Sequence, residues 1–83
     1  MSVLNINSVY SYIVSLDKSQ VNLLIQKLRL QGVSVKMIIP YIYPDAPNIK
    51  HLFFVFDGSE EQVPYYLLPE STMRMLCKEL SIL

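Results

Sequence analysis

A chain of 83 residues has room for one hydrophobic core, so residues 1–83 are read as a single compact domain. Its 52% hydrophobic and 17% charged residues exclude a disordered chain and leave more apolar side chains than so small an interior hides. The formal net charge of zero lacks the basic excess that phosphate neutralisation normally requires, and apolar runs such as Met37–Tyr43 and Leu52–Phe56 are too short for a membrane-spanning helix.

In chain order, Val9, Tyr12, Ile13 and Leu16 recur at three- and four-residue spacing after a polar stretch, which predicts a short amphipathic helix capped by Asn7 or Ser8. Its β-branched and aromatic residues are middling helix formers, so a strand at Val3–Ile6 or Val9–Val14 competes with it. The next segment is clearer. Asp17 and Gln20 have the spacing of a capping box, Val21, Leu24, Ile25 and Leu28 make one apolar stripe, and Gly32 stands at the C-terminal stop. These signals predict a helix over 18–31.

From Val33 the period changes to two. Val33, Val35, Met37, Ile39, Tyr41 and Tyr43 alternate with Ser34, Lys36, Ile38, Pro40 and Ile42, predicting a strand with the first set on one face. Residues 44–48 carry two prolines and read as a turn. A second strand follows at His51–Phe56, then a turn at Asp57–Ser59, a third strand at Gln62–Leu68, and a helix opened by Pro69 with Met73, Leu76, Cys77 and Leu80 on one face. Pro40 and Pro64 interrupt the flanking strands and leave the middle one free, which orders the sheet as a meander with 51–56 in the centre. The expected fold is therefore α+β, a three-stranded antiparallel meander packed with helices in the order α-α-β-β-β-α. In the central strand Leu52, Phe54 and Phe56 face one side and Phe53 and Val55 the other, so both faces of the sheet need a cover.

Few residues offer chemistry. His51 is the sole histidine and Cys77 the sole cysteine, so neither a disulfide within the chain nor a zinc site of ordinary composition is available. His51 reads as an ordinary strand-end residue. Cys77 has Arg74 and Lys78 within a helical turn, the setting of an activated thiol, but it shares the apolar stripe and reads first as a core residue. Residues 57–61 are the one dense acidic patch and lack the further oxygen ligands of a calcium loop. Two separated glycines make no phosphate-binding loop. No catalytic, cofactor-binding or metal-binding residue is assigned, and a non-enzymatic protein is expected.

Two surfaces stand out for binding. Six tyrosines fall in pairs, and four of them, Tyr41, Tyr43, Tyr65 and Tyr66, are expected on the two edge strands, where a ring with a polar tip suits a protein partner. Lys18, Asn22, Gln26 and Arg29, with Lys27 beside them, form a polar stripe on the second helix, the runner-up reading being a nucleic-acid contact. Residues 1–36 hold four basic groups against one acid (+3), and residues 37–83 hold three against six (−3), a pattern that suits internal pairing or self-association. The expected function is a protein–protein interaction domain of inhibitor or adaptor type, acting as a homodimer or on another protein. One cysteine and no recognisable signal peptide point to the cytoplasm. In style the chain is similar to small accessory proteins of viruses and mobile elements.

Overall fold

The structure, a computed structural model, describes residues 5–80. Helix α1 spans Ile6–Ser15 and is capped by Asn5, whose side chain accepts from the amide of Asn7 at 2.7 Å. The cap lies earlier than the expected Asn7 or Ser8, which brings Ile6 into the first turn. Val9, Tyr10 and Ile13 are buried, and this burial outweighs the modest helix propensity of β-branched residues. No strand forms over Val9–Val14. Of the alternative strand at Val3–Ile6, Val3 and Leu4 lie outside the described residues and Ile6 is helical.

Helix α2, Lys18–Leu30, has the capping box that its sequence predicts. Asp17 accepts from the Gln20 amide and the Gln20 side chain accepts from the Asp17 amide, both at 2.9 Å. At the other end the amide of Val33 donates to Leu28 and that of Gly32 to Arg29, the two bonds of a Schellman stop. Gly32 reaches φ +90°, a conformation that side chains disfavour, and this turn aims Val33 back into the core.

Strands β1 (Val35–Tyr43), β2 (Ala46–Phe56) and β3 (Val63–Pro64) form an antiparallel sheet in the order β1-β2-β3. β2 starts five residues earlier than expected because Pro44 and Asp45 alone make the turn. Between the pairs Ile42–Lys50 and Tyr43–Ala46 the register slips, and Pro47 is accommodated in that irregularity, where its missing N–H leaves no gap in a regular ladder. The third strand is far shorter than the expected 62–68. After Pro64 the chain enters a 3₁₀ turn at Tyr65–Leu67, and three-residue spacing delivers both Tyr65 and Leu68 to the core, where strand alternation would have placed them on opposite faces. Helix α3, Glu70–Glu79, buries Leu76 and Cys77, with Leu80 following at its C-cap.

A second register slip, between Val35 and Met37, corrects the expected faces of β1. Lys36 occupies the bulge, so Val35 pairs with Phe56 towards the core while Met37 pairs with Val55 on the far side. Ile38, assigned by alternation to the weaker face, is buried opposite Phe54 instead. All three helices contribute to one cluster on the Leu52 and Phe54 side of the sheet, with Leu28, Val9, Leu76 and Cys77 at its centre. Among the described residues no helix is long and apolar enough to cross a membrane.

Candidate protein-interaction face

With the helices all on one side, no helix among the described residues covers the other face of the sheet. On β1 it carries Met37, Ile39, Tyr41 and Tyr43; on β2 it carries His51, Phe53 and Val55. Strand alternation alone guarantees that these seven share a side once Lys36 has absorbed the extra residue. The aromatic groups touch in sequence. Tyr41 meets Tyr43 edge-on with ring centres 4.8 Å apart, Tyr43 meets His51 edge-on at 5.0 Å, and His51 lies 5.8 Å from Phe53. Edge-to-face contacts of this kind are a preferred arrangement of aromatic rings, and they link the side chains of this face to one another.

Val55 shows how apolar this surface is. It is 5% exposed yet does not belong to the helix-packed core cluster, so its neighbours on the outer face shield it. Met37 and Tyr41 remain nearly half exposed beside it. Two shallow depressions run across the face. One is lined by Ile39, Tyr41, Tyr43, Phe53 and Gln62, the other by Lys36, Met37, Ile39, Val55, Glu60 and Gln62.

The four tyrosines expected to bind a partner do not form one surface. Tyr41 and Tyr43 lie together on the outer face. Tyr65 is in the core, 6.4 Å from Phe54 between ring centres, and its hydroxyl is hydrogen bonded with the Cys77 thiol. It is therefore removed from the surface that its sequence position promised. Tyr66 is exposed but borders a different groove, shared with Ile6, Lys50 and Leu52. That groove holds about 110 Å³, below the ~300 Å³ at which small-molecule sites begin. His51 and Phe53, which join the tyrosines on the outer face, were legible only as members of the alternating central strand.

The polar stripe of α2 is solvated along its length, but two of its basic groups have acidic company. Arg29 pairs with Asp57 at 2.5 Å and donates to the Val35 carbonyl at 3.0 Å, while Lys27 lines a groove together with Glu79. Lys18, Asn22 and Gln26 are exposed. Because Arg29 and Asp57 come from opposite halves of the chain, at least part of the charge asymmetry is spent within the fold.

Cys77 is fully buried, and burial raises its thiol pKa; the Tyr65 hydrogen bond and the Arg74 charge pull the other way and are smaller. A thiol in that state is a poor nucleophile at neutral pH. Among the described residues no group of three or more histidine, cysteine and carboxylate side chains is placed to hold a metal ion. The chain has no match among protein-family models, curated proteins or solved structures.

Proposed function

We propose that this chain is a non-enzymatic protein-interaction domain, of inhibitor or adaptor type, that binds its partner through the outer face of the sheet. The observation that carries this reading is the ordered row Tyr41, Tyr43, His51 and Phe53 beside a Val55 that is buried without helping to form the core. A sheet exposes such a face to water at a free-energy cost of about 25 cal/mol per Å² of apolar area, which a partner removes. Aromatic rings with polar tips, Met37 in an adaptable position and few charges match the composition of interface centres. The nucleic-acid alternative is weaker, since Arg29 is paired with Asp57 and the formal net charge is zero.

The test is site-specific photo-crosslinking in cells. A benzophenone side chain in place of Tyr41 is expected to give a discrete protein adduct, and the same group in place of Lys78 on α3 is expected to give none. Equal labelling at the two positions, or no adduct at position 41, overturns the proposal.

A further inference from the structure

We infer that the partner presents a short basic segment to the outer face, with arginine or lysine side chains at both of its ends and apolar ones between. This rests on reading that face as an interaction surface. The argument begins with where the carboxylates go. Residues 37–83 hold six. Glu70 pairs with Arg74 at 3.6 Å and Asp57 with Arg29, while Glu79 accepts from the Gln31 side chain. The other three, Asp45, Glu60 and Glu61, are exposed and form no ion pair among the described residues.

These three lie around the outer face. Asp45 stands in the turn that follows Tyr43, at one end. Glu60 lines the depression of Met37 and Val55 at the other end, and Glu61 precedes Gln62, which lines both depressions. Against these carboxylates the same rim carries the Lys36 ammonium, which already contacts the Ser59 carbonyl at 3.4 Å. The face is therefore an aromatic floor with an acidic rim, and both parts favour cations. The half-exposed ring of Tyr41 attracts them through its quadrupole, and the carboxylates attract them by charge. Arginine suits both, because its guanidinium stacks on a ring and bonds a carboxylate through two N–H groups.

Size decides that the contact is a segment and not a folded domain. From Met37 to Tyr43 the strand runs roughly 20 Å, and the neighbouring strands add ~10 Å of width. Such a patch falls well short of the ~800 Å² per partner that stable contacts between folded domains bury. An extended stretch of about seven residues covers its length, with the outermost side chains reaching towards Asp45 and Glu60.

The probe is a fluorescein-labelled peptide, Arg-Ser-Leu-Ser-Leu-Ser-Arg, whose arginines and leucines share one side when extended. Its binding to the full chain is read by fluorescence anisotropy at low salt. Affinity is expected to fall about fivefold in Asp45→Lys and in Glu60→Lys and to rise by a similar factor in Lys36→Glu, since each reversal exchanges attraction and repulsion at an exposed site. Each variant is checked for native circular dichroism. Glu70→Lys, on the helix side, is expected to leave binding unchanged, and a peptide with serine in place of both leucines to bind more weakly. Absence of binding, indifference to the reversals around the face, an equal effect at Glu70 or equal binding of the serine peptide overturns the inference. The adduct formed from position 41 in cells separates it from the reading beneath it. An adduct that persists when Asp45→Lys and Glu60→Lys are combined, or one with twice the mass of the chain, overturns the basic segment and leaves the interaction face standing. Absence of any adduct removes both.

Discussion

The Arg29 guanidinium reaches out of the last turn of α2 to the Asp57 carboxylate at 2.5 Å and to the Val35 carbonyl at 3.0 Å, so one side chain ties a helix end to both ends of the long hairpin. Both partners are about half exposed, which limits the strength of the pair. Arg29→Ala is expected to lower stability by about 1 kcal/mol, the sum of a screened ion pair and a hydrogen bond donated by a charged group. Thermal unfolding checks this, and the deficit should shrink in high salt.

Adjacent residues of β2 separate the core from the outer face. Phe54→Ala removes a ring that is 1% exposed at the centre of the helix-packed cluster and is expected to cost ~3–5 kcal/mol, enough to leave much of so small a domain unfolded. Phe53→Ala, on the outer face, is expected to cost about 1 kcal/mol and, on the proposed interaction reading, to reduce the adduct formed from position 41. Urea titration combined with the crosslinking assay distinguishes the two effects.

Asp17 supplies an acid-side prediction. Its hydrogen bonds with the Gln20 amide and the Ser19 hydroxyl hold its carboxyl below the ordinary carboxylate range. A lowered folded-state pKa means that the stabilisation is complete above the unfolded value of about 4 and disappears as pH falls through the folded one. The difference in urea midpoint between wild type and Asp17→Ala is therefore expected to be constant from pH 7 to 5 and to close below pH 4.

On the alkaline side the pair Tyr65 and Cys77 acts together. Burial raises both groups, and each contributes stability that is complete below its unfolded pKa and falls above it, from about pH 8.5 for the thiol and about 10 for the phenol. Wild type is expected to lose stability steadily above pH 8.5, and Cys77→Ala to lose the first part of that slope. Reaction of Cys77 with a thiol reagent at pH 8 should follow global unfolding; rapid labelling of the native chain contradicts the buried geometry.

How much of this was legible beforehand follows from how local each cause is. The sequence by itself determined α2 with its box and its stop, the burial of Leu76, Cys77 and Leu80 on one face of α3, and the order of elements, because capping, helical periodicity and proline placement act within a few residues of their cause. The two-sided reading of the central strand is legible for the same reason, since alternation needs only the next residue. Tertiary structure alone decided the rest. A single bulged residue, Lys36, reversed every side chain after it on β1 and put Met37, Ile39, Tyr41 and Tyr43 on the outer face, because register is set by the partner strand and a shift of one inverts the pleat. Likewise, the demand of the core around Phe54 drew Tyr65 and Leu68 inward together and turned an expected strand into a 3₁₀ turn. Periodicity written in one segment cannot record a choice that its neighbours in space make for it.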